Sequence, residues 1–74
     1  MQMHDTNRLS VIMYENGITY RELSRKSGVS KSALNKIANF EEDPTQSTMI
    51  SIARALQMNV TDVFFLDWRE YYGD

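Results

Sequence analysis

The sequence predicts an all-α, compact domain of five short helices, and three observations carry that prediction. Apolar residues recur at three- and four-residue intervals, and no alternating apolar run is bounded by a hairpin turn, so nothing reads as a strand. Residues suited to opening a helix and glycines suited to closing one divide the chain into short segments. With 74 residues, 42% of them hydrophobic and 24% charged, the chain has material for one core and a soluble surface.

The first helix is expected over residues 7–16, where Leu9, Ile12 and Met13 share a face, with Asp5, Thr6 or Asn7 as cap and Gly17 as stop. Thr19-Tyr20-Arg21-Glu22 has the form of a capping box, the Thr19 hydroxyl accepting from the Glu22 amide while the Glu22 carboxylate returns to the Thr19 amide. A second helix therefore begins near Tyr20 and ends before Gly28. Ser30 caps a third over 31–39, with Leu34 and Ile37 inward and Lys31, Ser32, Asn35 and Lys36 left outward. After the break at 40–44, Thr45 caps a fourth helix whose Met49, Ile52, Ala53 and Leu56 form the best apolar pattern in the chain. Thr61-Asp62 starts a fifth, with Val60, Val63 and Phe64 inward and Asp62 complementing the positive end of the helix dipole.

This organisation predicts a single domain over 1–74, with its core at about 7–66 and an aromatic tail over 67–74. Five of the eight aromatic residues, Phe64, Phe65, Trp68, Tyr71 and Tyr72, fall in the last eleven positions. Two accounts of them stay open. Phe64 and Trp68 can close the domain's own core, or Phe65, Trp68 and Tyr71 can form a dimer interface, since aromatic residues are enriched in interface cores and so small a chain gains stability by pairing.

Zero cysteines exclude a disulfide framework and a thiolate metal site. The single histidine, His4, lies near the start of the sequence, so no Ser-His-Asp or Cys-His pair can be assembled, and an enzyme is not expected. Glu41-Glu42-Asp43 lacks the alternating ligands and the sixth-position glycine of a calcium loop, and the three glycines stand too far apart to cradle a phosphate. No cofactor, metal or small-molecule ligand is predicted. The first eight residues lack an apolar signal core and no stretch is long enough to span a membrane, so the expected location is the cytoplasm, without membrane association.

Charge is unevenly placed. The net charge is -2 with a pI near 5.2, which by itself argues against a polyanionic partner. Residues 18–40, however, carry five bases (Arg21, Arg25, Lys26, Lys31, Lys36) against one acid, Glu22, and so +4, whereas residues 41–74 carry two bases against seven acids. A basic block thus sits between acidic neighbours, over the second and third helices.

Those two helices, joined through Ser27-Gly28-Val29, meet the requirements of a helix-turn-helix: a small residue in the second helix (Ser24), a glycine in the turn, and Leu23, Val29, Leu34 and Ile37 to lock the pair. With the stretches NRLSVIMYENGITYRELSRKSGVSKSALNKIAN and DPTQSTMISIARALQMNVTDVFF, the sequence resembles the Cro and repressor class of phage-type regulators, also called the XRE family, over about residues 7–66. The resemblance implies a lambda-repressor-like DNA-binding domain. It further implies that the third helix enters the major groove of double-stranded DNA, with base contacts from Lys31, Ser32, Asn35 and Lys36. Backbone contacts would come from Thr19, Tyr20, Arg21, Ser30 and Asn39, Tyr20 standing where relatives commonly have glutamine and Ser30 acting first as a cap.

Three departures from the family pattern carry consequences. Glu41, Glu42 and Asp43 occupy a loop that is often basic in relatives and would repel phosphates there. Phe40 replaces a frequent glycine, so Asn39 is expected to adopt the left-handed conformation that ends the third helix. Gln57 stands where a helix-ending glycine is usual. The resulting expectation is a transcriptional regulator, a repressor, acting as a homodimer on an operator; the alternative is a protein-binding module of the same fold, directed at an antitoxin target, an anti-repressor or another regulator.

Overall fold

The computed structural model of the chain describes residues 7–64. Five helices follow in order: α1 (Leu9–Asn16), α2 (Tyr20–Ser27), α3 (Lys31–Ala38), α4 (Gln46–Ala55) and α5 (Val60–Val63). No strand is present among the described residues; a single antiparallel bridge joins Asn7 to Phe64. The proposed interface residues Phe65, Trp68 and Tyr71 lie outside the described residues.

The helix-opening chemistry is as the sequence predicts at three positions. Thr19 Oγ1 accepts from the Glu22 amide at 3.1 Å while Glu22 Oε1 accepts from the Thr19 amide at 3.0 Å. Ser30 Oγ accepts from the Ala33 amide at 3.0 Å, and Thr45 Oγ1 from the Thr48 amide at 3.2 Å. Each hydroxyl satisfies an amide that the first turn of a helix leaves without a partner.

The helix ends differ more. Residue 7 is not helical, and α1 starts two residues later than periodicity suggests, because Asn7 is drawn into the bridge with Phe64 and its Oδ1 accepts from the Leu9 amide at 2.9 Å. α5 begins at Val60 behind Asn59, one residue before the expected start, and Phe64 leaves it in an extended conformation, φ -115° and ψ 123°. Asn39 does not take the left-handed conformation. It keeps φ -96°, and Phe40 adopts φ 63° instead. The reason is the hydrogen-bond pattern of the helix end. The Glu41 amide reaches back to Lys36 O at 2.8 Å and the Phe40 amide to Ile37 O at 3.1 Å, a Schellman closure whose left-handed residue must be the one at Phe40. α4 closes the same way through Gln57, φ 59°, with Met58 N to Ala53 O at 2.9 Å and Gln57 N to Arg54 O at 3.0 Å.

One core joins all five helices. Leu9, Leu23, Leu34, Ile37, Ile52 and Val63 are fully buried, with Ile12, Met13, Ala38, Ala53 and Phe64 packed among them. Burial of each large aliphatic side chain contributes about 1.5 to 3 kcal/mol, which is what a chain without disulfides has to rely on. α2 packs on both α3 and α4, α4 on α5, and α1 on α3. The third helix is therefore held by both α2 and α1.

Candidate nucleic-acid interface

The α2–α3 elbow is built by Gly28. It closes α2 at φ 79°, its amide bonding Ser24 O at 2.9 Å. A Cβ at this position would meet nothing within 4 Å, so glycine is required by the backbone conformation and not by crowding. Val29 follows, half-buried against the core, and its amide donates to Ser27 Oγ at 3.1 Å. The chain then turns into Ser30 and α3 with its direction set.

α3 divides cleanly between two environments. Leu34, Ile37 and Ala38 are buried, while Lys31, Ser32, Asn35 and Lys36 are exposed. The five bases of the 18–40 block are all exposed on α2 and α3, the two packed helices. Glu22, the one acid among them, is occupied: its carboxylate accepts chiefly from the Thr19 backbone amide and then from the Thr19 hydroxyl, which holds its pKa below the ordinary glutamate range, with Lys26 and Arg25 adding smaller favourable fields. It stays ionised at neutral pH, and its charge is turned toward the amino end of α2.

The expected backbone-contacting residues fall into unequal positions. Arg21 is exposed on the first turn of α2. Tyr20 is half-buried against the core, so its ring serves packing. The Thr19 and Ser30 oxygens are engaged as caps. Asn39 is exposed at the end of α3, where its Nδ2 donates to Asn35 Oδ1 at 2.7 Å. Phe40, 38% exposed, and the exposed Glu41, Glu42 and Asp43 follow directly. An acidic rim thus borders the carboxyl end of a basic helix.

One positioning residue went unrecognised in the sequence beyond its place among candidate caps. Asn7 is buried, and besides accepting from Leu9 it donates through Nδ2 to Ile37 O at 3.0 Å, tying the entry to α1 to the last turn of α3. Its partner lies thirty residues away, so spacing along the chain carries no sign of the bond. The Asn35–Asn39 bond likewise went unrecognised in the sequence, although its signal, two amides four residues apart, is local.

Among the described residues no group of three or more His, Cys, Asp or Glu side chains is placed to hold a metal ion, and no helix is long and apolar enough to cross a membrane. An exposed polar helix, fixed by a glycine elbow beside a basic neighbour, defines a helix-turn-helix module. A model of the Cro/C1-type helix-turn-helix DNA-binding domain matches residues 8–67. The chain belongs to that family, a DNA-binding and not a catalytic one, whose domains serve transcriptional regulation. No curated protein matches the chain.

Proposed function

We propose that this domain is a repressor that reads an operator in double-stranded DNA as a homodimer, with α3 in the major groove. The observation that carries the reading is the division of α3, whose apolar residues are locked in the core while Lys31, Ser32, Asn35 and Lys36 are all exposed. Lysine donates to guanine O6 and N7, serine pairs with several bases, and asparagine carries both a donor and an acceptor. Arg21 and the Tyr20 phenol face the phosphates from the start of α2, Asn39 from the end of α3, and Thr19 and Ser30 contribute what their caps leave free. The exposed acids at 41–43 reduce the electrostatic share of binding.

Pairing is supported by size and composition. A single small module buries little of a duplex, whereas two recognition helices on half-sites roughly 34 Å apart add their contacts. Phe65, Trp68 and Tyr71 are the residues assigned to that interface, because aromatic side chains bury large area at little entropic cost.

Selection from a random duplex library followed by titration of the winner tests the reading. A palindromic winner is expected. Lys31→Ala should then alter base preference by about 1 to 3 kcal/mol, whereas Arg21→Ala should weaken all sequences alike and lower the salt slope by about one unit. A winner without two-fold symmetry would overturn the homodimer, and equal losses on selected and random duplexes for Lys31→Ala would overturn base reading. Failure to enrich any duplex would transfer the surface to a protein partner.

A further inference from the structure

We propose that Asn39 is a positioning residue that sets which end of the Asn35 amide faces the bases, so that Asn35 presents hydrogen-bond donors and reads base acceptors. The inference rests on the reading that α3 enters the major groove, and concerns what the helix recognises there.

An exposed asparagine is ordinarily ambidextrous. Rotation about its last torsion exchanges oxygen and nitrogen at little cost, so either can lead, and with both at a base edge it pairs in bidentate fashion with adenine, accepting from N6 and donating to N7. In Asn35 one orientation is favoured over the other. Its Oδ1 is held at 2.7 Å by Nδ2 of Asn39, one turn along the same face. Asn39 is itself well anchored, because its amide bonds Asn35 O at 3.0 Å and the chain beyond it is closed by the bonds from Phe40 to Ile37 and from Glu41 to Lys36. With the oxygen turned along the helix toward Asn39, the Nδ2 group of Asn35 is directed away, and its two hydrogens have no partner among the described residues. The group that leads into a groove is therefore a donor.

The major-groove edges that accept are guanine N7 and O6, thymine O4 and adenine N7; cytosine offers only its N4 donor there. An Asn35 so fixed favours guanine, the base with two acceptors, and disfavours cytosine. The second Nδ2 hydrogen of Asn39 stays available for a phosphate oxygen. One amide then grips the backbone and orients its neighbour, which couples the register of the helix on the duplex to the base that Asn35 reads.

The test compares the parent chain with Asn35→Ala, Asn39→Ala and Asn39→Asp in the same library selection. Relative enrichment is scored at each base, so that a uniform change in affinity cancels. The parent should enrich guanine over cytosine at one position per half-site, and Asn35→Ala should randomise that position. Asn39→Ala, which frees the Asn35 oxygen to accept from adenine N6 while its nitrogen donates to N7, should raise adenine relative to guanine there. Asn39→Asp supplies only acceptors, so it should turn the Asn35 amide over and shift preference toward the donor-bearing bases cytosine and adenine by roughly 5- to 100-fold, the span of one base-pair discrimination. Side-chain amide resonances give a readout without DNA. One Nδ2 proton of Asn39 should lose its hydrogen-bonded shift in Asn35→Ala, and the Asn35 Nδ2 protons should gain one in Asn39→Asp. If Asn35→Ala changes the preferred base while both Asn39 variants leave it untouched, the positioning role is overturned and base reading by α3 survives. If Asn35→Ala changes nothing, base reading at Asn35 and the proposal fall together.

Discussion

Replacing Asn7 by alanine tests whether one buried amide holds α3 to the rest of the domain. The parent side chain makes two bonds, 2.9 Å from the Leu9 amide and 3.0 Å to the Ile37 carbonyl. The two losses are unequal. The Ile37 carbonyl still receives the Phe40 amide at 3.1 Å, so it forfeits only one net hydrogen bond, about 1 kcal/mol. The Leu9 amide, in the first turn of α1 on a fully buried residue, is left without a partner, at a cost of about 1 to 3 kcal/mol. Asn7→Ala should therefore destabilise by about 2 to 4 kcal/mol, a large part of the roughly 4 to 11 kcal/mol available to a chain of this length. Urea unfolding followed by helical circular dichroism should show a lowered midpoint at an unchanged slope. Asn7→Ser supplies the separation: its short hydroxyl still reaches the Leu9 amide but not Ile37, so it should lose only about 1 kcal/mol. An alanine variant within about 0.5 kcal/mol of the parent would refute the reasoning, which rests on the cost of a buried amide without an acceptor.

Two further expectations concern helix ends. Gln57 holds φ 59° on an exposed position, where a side chain costs roughly 1 to 2 kcal/mol that glycine avoids. The gain is reduced by the greater freedom of glycine in the unfolded chain. Gln57→Gly should thus exceed Gln57→Ala in stability by about 1 kcal/mol, raising the melting temperature by about 4 to 8 °C; equal melts would show that the turn is unstrained. The depressed pKa of Glu22 makes its charge a pH-dependent support. A carboxyl whose folded pKa is lowered contributes stability that is present above its unfolded pKa and is lost as pH falls through the folded value. Parent stability should therefore exceed that of Glu22→Gln at neutral pH and converge on it under acid, and a gap constant across the titration would count against the Thr19 amide as its cause.

Much of the fold was legible because its rules are local. A hydroxyl at Thr19, Ser30 or Thr45 meets an amide three residues on whatever the rest of the chain does, and the three- and four-residue spacing of Leu9, Ile12, Leu34, Ile37, Ile52 and Ala53 marks their inner faces directly. The exposed character of Lys31, Ser32, Asn35 and Lys36 follows from the same periodicity. Local rules failed where two hydrogen-bond patterns compete for one residue. Asn39 is the better left-handed residue by type, yet the bonds from Phe40 to Ile37 and from Glu41 to Lys36 assign that conformation to Phe40.

What the sequence determined by itself is the set of helices, their caps, the glycine elbow and the polar side of α3, because each depends on residues within about one turn of each other. What only the tertiary structure decided is where α3 is anchored to the rest of the domain. The bond from Asn7 to Ile37 and the bridge from Asn7 to Phe64 join residues far apart in the chain, and the late start of α1 follows from them. Such contacts arise only once several helices have packed, since a buried polar group must find its partner in whichever element the core brings beside it.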